Sequence, residues 1–224
     1  MAGLNFGTVL DTGKDNLTNV DWADTAEGTG YVYWEGWSVE TSTGNTYNLS
    51  TSSEIVNLYT SSTDKGNNDS TTTTITNLPA TITKIEDLDF DASIYQLPKL
   101  VKGTAIIKLS YSVICTSGTF DEIYLIAKLR KWDGSSETEI ASVQSPTETS
   151  IVFGGDASRS VNLLLPVVIS AINKFAVGDN LRLTVEIWGK DAAGGTSDGS
   201  VTLNHNPSGS RLTIGLPMRI EEQS

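Results

Sequence analysis

Cysteine is almost absent from this 224-residue chain, where Cys115 stands alone. A lone cysteine excludes an intrachain disulfide framework, the usual staple of small secreted domains. Histidine is equally scarce, with only His205. One histidine and one cysteine leave no zinc site of the ordinary ligand sets. Positive charge is in short supply too: 15 Lys and Arg stand against 27 Asp and Glu, a net charge of −12. Such a chain has no electrostatic basis for nonspecific binding to nucleic-acid phosphates or to anionic membranes. No run approaches the roughly 18 apolar residues of a membrane-spanning helix. The opening MAGLNFGTVLDTGKDNL has no basic region followed by an apolar run, so no signal peptide is expected. A soluble protein made in a cytoplasm is the expectation. Long amphipathic helices are missing as well, which leaves strands to build the core.

The strands are legible by their period of two. The clearest is LRLTVEIW, entered through the turn Val177-Gly178-Asp179-Asn180. It places Leu181, Leu183, Val185 and Ile187 on one face and Arg182, Thr184, Glu186 and Trp188 on the other. GTAIIKLSYSVICT aligns Ala105, Ile107, Leu109, Tyr111, Val113 and Cys115, and DEIYLIAKLRKW aligns Ile123, Leu125, Ala127 and Leu129. That phase makes Cys115 a buried, inert thiol. SRSVNLLLPVVI reads as a long apolar strand whose Pro166 argues for a sheet edge. Ser170–Phe175 reads as one helical turn. Weaker strands are expected in YVYWEGWSV, EIVNLYT, ETEIASVQ, TSIVFGG, SVTLNHN and SRLTIGLPMRI. The reading is an all-β fold: an antiparallel two-sheet jelly-roll sandwich with an extended N-terminal arm. An immunoglobulin-like sandwich is the alternative. The chain divides into an arm over 1–30, added strands and loops over 31–102, and the sandwich over 103–220. Leu109, Leu125, Leu163, Leu183, Val185 and Ile214 are expected in one core.

Chemistry is sparse. His205 has no nucleophile beside it in sequence, and neither a G-x-S-x-G elbow nor a phosphate-cradling G-x-x-x-x-G-K-[ST] occurs. No catalytic set is visible, so the chain is expected not to be an enzyme, and no cofactor is expected. Asp87, Asp89 and Asp91 put carboxylates at alternate positions, a pattern that can hold Ca²⁺, or equally a solvated acidic strand. Ala92 stands where an EF-hand loop needs glycine, and Pro98 where it needs glutamate. Trp34, Trp37, Trp132 and Trp188 are candidates for stacking on sugar rings, against burial beneath the arm or a neighbouring subunit. Ile106, Ile114, Tyr124, Ile126, Trp132 and Trp188 fall on outward phases, more than a monomer needs. Leu4, Phe6 and Trp22, with Val9 and Leu10, are isolated apolar residues in the arm, suited to docking on another surface.

The stretches AVGDNLRLTVEIWG, DAAGGTSDG and HNPSGSRLTIGLPMRI resemble single jelly-roll proteins of virus particles, especially decoration, spike or minor capsid proteins of tailed phages and archaeal viruses. The resemblance covers roughly residues 100–220. It implies a virion structural protein, made in the host cytoplasm and working by assembly. Its partners would be copies of itself, as a homotrimer, and other capsid proteins, with the arm anchoring it. A carbohydrate-binding module or adhesin head, with a glycan as ligand, shares much of the same style.

Overall fold

The computed structural model describes residues 30–41, 44–50, 70–155, 157–205 and 212–220. The expected strand over EIVNLYT, the arm residues Leu4, Phe6, Val9, Leu10 and Trp22, and the start of the last stretch lie outside them. Twelve strands and no helix make up the described elements. They are β1 (Gly30–Thr41), β2 (Gly44–Ser50), β3 (Ser70–Ile75), β4 (Thr83–Ala92), β5 (Lys99–Ser117) and β6 (Thr119–Trp132). Then follow β7 (Glu137–Gln144), β8 (Glu148–Val152), β9 (Ser158–Phe175), β10 (Asn180–Lys190), β11 (Asp198–Asn204) and β12 (Thr213–Ile220).

The strands form one continuous sheet in the order β3-β11-β5-β12-β1-β2-β4-β10-β6-β7, with β8 also on β6 and β9 on β5. The sheet folds over on itself, so that β5, β9, β11 and β12 face β4, β6 and β10 across one core. Twisted sheets of this size curl because each strand pair adds a right-handed rotation. Leu109, Leu125, Leu183, Val185 and Ile214 lie fully buried in that core, and Leu163 packs half-buried against it. Leu183 sits between Leu129 of β6 and Phe90 of β4. Cys115 is buried and free, its thiol donating to the Ser117 carbonyl at 3.2 Å.

Three features depart from the sequence expectation or sharpen it. The sheet is mixed, because β2 and β4 pair in parallel at Asn48↔Asp91 and Leu49↔Ala92. Ser170–Phe175 is strand, not helical turn: Asn173 pairs with Val101 and Phe175 with Lys99. Ladder bonds to β5 and burial of Phe175 outweigh the weak local helical preference of SAINK. Pro166 sits in the middle of β9, and β9 has a ladder on one side only among the described residues. A proline, with no N–H to give, is tolerated there and not in a central strand.

Candidate interaction surface

The two outer faces of the folded sheet differ in kind. Over β4, β10, β6 and β7 the outer face is a closed lattice of charges. Thr184 and Glu186 of β10 point outward yet are buried, because long side chains of neighbouring strands cover them. Arg182 gives Asp91 two parallel hydrogen bonds, from Nε and Nη2, each 2.7 Å long. This two-pronged geometry is the strong form of an Arg–carboxylate pair. Its Nη1 reaches Asp89 at 3.4 Å and also pairs with Glu137. The guanidinium lies 4.7 Å over the ring of Trp132, a cation–π contact. Asp91 pushes the guanidinium pKa further above its ordinary value, with burial opposing and Glu137 adding to the rise.

Glu186 is the second node. Lys128 Nζ lies 2.8 Å from its carboxylate and Arg130 3.7 Å, while Trp188 Nε1 donates to it at 2.8 Å. Burial pushes this carboxyl up, but the bonds from Lys128 and Trp188 outweigh burial and hold it below its ordinary value.

Most of the residues singled out in the sequence belong to this lattice. Asp87 accepts from Lys84 at 2.6 Å, Asp89 from the Thr184 hydroxyl at 2.5 Å, and Asp91 from Arg182. Their alternate spacing does set them on one face of β4, but each carboxylate already meets a donor. Among the described residues, no group of three or more His, Cys, Asp or Glu is placed to hold a metal ion. Trp132 lies beneath Arg182, and Trp188 stacks on Tyr124 with ring planes 2° apart. The two stand at opposite ends of β10, since Trp132 pairs with Asn180 and Tyr124 with Trp188. Trp34 is fully buried, and Trp37 is half-buried with Nε1 donating to Ser50 at 2.9 Å. The four tryptophans are not brought together. His205 is buried edge-on to Tyr47 and Phe90, with Nε2 2.7 Å from the Thr71 hydroxyl.

The outer face of β5 and β9 has the opposite character. Its outward positions hold Lys102, Lys108 and Lys174, and neither strand carries Asp or Glu, in a chain whose acids outnumber its bases almost two to one. The outward positions of β9 are apolar at its centre: Leu164 is 67% exposed, Val168 72% and Ile172 54%. Pro166 lies between them and pairs across to Ile106, while Val168 pairs with Thr104 and Leu164 with Lys108. Beside Leu164, a hollow of about 360 Å³ is lined by Lys108, Ser110, Ser160, Asn162 and Asn204 with Tyr111 and Val161. Farther across the face, Tyr33 is half exposed, and the Tyr31 hydroxyl crosses β12 to donate to the Thr104 carbonyl at 2.7 Å.

No family model and no curated protein matches this sequence. Solved structures match it in part. One is an α-amino acid ester hydrolase, 14% identical, with 60% of this chain covering 26% of that one at a TM-score of 0.40. A CocE/NonD family hydrolase from Staphylococcus aureus is 12% identical, over 67% of this chain and 33% of that one, at 0.42. A chain from the structure of infectious bursal disease virus, Gt strain, is 10% identical, over 69% of this chain and 35% of that one, at 0.26. The chain thus spans about a quarter to a third of the length of these proteins. The expectation that the chain is not an enzyme is corrected here: two of these three matched proteins are hydrolases. A virus-particle structure stands among the matches, and no family match points to a phage or an archaeal virus.

Ile106 and Ile114, named in the sequence as outward, lie on the β5 half of this face, and the β9 half carries a signal of its own. LLLPVVI is apolar at every position. On a strand at a sheet edge such a run must leave half of its side chains outside the core.

Proposed function

We propose that this chain is a structural component of a virus particle that works by assembly, and that the outer face of β5 and β9 is its docking surface. The observation that carries the docking role is the exposure of Leu164, Val168 and Ile172 beside two strands, β5 and β9, that carry no Asp or Glu. Exposed apolar side chains clustered on one face mark interaction sites more often than singly scattered ones. Here charge sharpens the choice: a positive strip on an acidic protein selects an acidic partner. The particle assignment rests on the resemblance of AVGDNLRLTVEIWG, DAAGGTSDG and HNPSGSRLTIGLPMRI. Partners in this reading are further copies of the chain, in a homotrimer, and other capsid proteins. Residues 1–30 serve as the anchor.

The test is incorporation. Particles produced with the wild-type chain should carry it, and particles produced with Leu164→Glu/Val168→Glu should carry little or none. Circular dichroism of both proteins checks that the sandwich is intact. Equal incorporation of the two, or absence of the wild-type chain from purified particles, overturns the reading.

A further inference from the structure

We propose that the β5–β9 face receives the segment of residues 1–29 from a neighbouring copy of this chain, an inference that rests on the docking role above. Two like faces cannot close on each other. Each carries Lys102 and Lys108 among its outward positions and no acid on β5 or β9, so face-to-face pairing sets cation against cation. The occupant has to be acidic and partly apolar.

Residues 1–29 have that composition. They hold Asp11, Asp15, Asp21, Asp24 and Glu27 against the single base Lys14. Their apolar residues stand next to acids, as in Leu10-Asp11 and Asp21-Trp22. The face offers the complementary chemistry. Lys108 and the polar hollow take a carboxylate, and Leu164, Pro166 and Val168 take the adjoining apolar side chain. Covering those three removes apolar surface from water, which favours docking.

The position of Gly30 says which copy supplies the segment. Gly30 pairs with Met218, Met218 with Val101, and Val101 with Asn173. Leu164, Pro166 and Val168 lie farther along, opposite Lys108, Ile106 and Thr104. Strand β1 runs the same way as β5, both being antiparallel to β12. Read backward, the axis of β1 therefore points off the end of the sheet at Gly30, away from these three residues. Tyr31 and Tyr33, with ring centroids 6.1 Å apart, stand on β1 between Gly30 and Glu35, Tyr31 anchored on Thr104. A segment of 29 residues reaches up to about 95 Å when extended, enough to lie across a neighbour.

The experiment uses the full-length chain with a photo-crosslinking phenylalanine derivative in place of Ser170, an outward position beside Val168. Unlabelled and ¹⁵N-labelled chains are mixed, irradiated and digested. The expected product joins the β9 peptide to a peptide from residues 1–29 of the other isotope. Asp11→Lys/Asp21→Lys/Asp24→Lys should reduce that product at least tenfold, and Lys108→Glu added to this variant should restore part of it. Products of one isotope only mean that each chain covers its own face, and overturn the exchange. Crosslinks to any other segment, or none, overturn the occupant. Either result leaves the docking role standing if Leu164→Glu/Val168→Glu still abolishes incorporation, so the two readings fail separately.

Discussion

The same substitution at two leucines separates the inner from the outer surface of the sheet. Leu183 of β10 is fully buried between Leu129 and Phe90. Leu164 of β9 keeps 67% of its surface in solvent. Leu183→Ala removes three buried carbons and leaves a cavity that the surrounding strands cannot close, at a cost of about 2–5 kcal/mol. Leu164→Ala gives up contacts over only a third of a side chain, which costs under about 1 kcal/mol. For a chain of this size each kcal/mol moves the midpoint by about 2–4 °C. Leu183→Ala should therefore melt about 5–15 °C below the wild type, and Leu164→Ala within about 3 °C of it. Thermal unfolding followed by circular dichroism at low protein concentration reads both, and urea titration with an unchanged m-value confirms that stability alone has moved. Equal losses at the two positions would refute the assignment of faces. A loss under about 1 kcal/mol at Leu183 would refute its burial.

Arg182→Met keeps the aliphatic cover over Trp132 and removes the double hydrogen bond to Asp91. A loss of about 1–3 kcal/mol is expected in denaturant titration, and an unchanged stability would mean that the lattice is ornamental. Glu186 and Asp191 both have lowered pKa values, Asp191 through the Ser197 hydroxyl first. A depressed carboxylate stabilises the fold fully above its ordinary range of about 4, and this is lost as pH falls through the lower folded values. Stability should drop below about pH 4, and Glu186→Gln should flatten that drop; an identical pH profile in the variant would exclude Glu186 as a source. Gly199→Ala would put a methyl group 2.0 Å from the Ile114 carbonyl oxygen, where β11 bulges against β5. At least about 1–3 kcal/mol should be lost, and wild-type thermal stability in this variant would show that β11 and β5 do not approach so closely.

Much of the fold was legible because period-two alternation is a local signal. Leu181 to Ile187 and Ala105 to Cys115 point inward as their spacing requires. What stayed hidden depends on partners distant in sequence. Nothing in SAINK discloses that Asn173 meets Val101. Nothing in IEDLDFDAS discloses that Arg182, ninety residues on, will lie across its aspartates. The alternation of β10 is legible, but what covers its polar side is not. The cover over Glu186 comes from Lys128 and Arg130 on β6. On β9 the sequence discloses a long apolar strand with Pro166 at a sheet edge, but the one-sided pairing of β9 shows which half of that run is surface.

The position of β12 governs when this protein can fold. It lies inside the sheet, between β5 and β1, though it is the last described strand in sequence. Until it leaves the ribosome, β1 and β5 each hold an open flank of unpaired N–H and C=O groups, and β3 waits for β11 in the same way. Contacts so distant along the chain make for slow folding, because loop closure comes before its reward. Before β12 emerges, the pairings closest in sequence are the β1–β2 hairpin and β6 with β7 and β8. The flank of β5 that β12 covers stays open until release, so expression in a host should be sensitive to chaperone supply and to any shortening that removes β12.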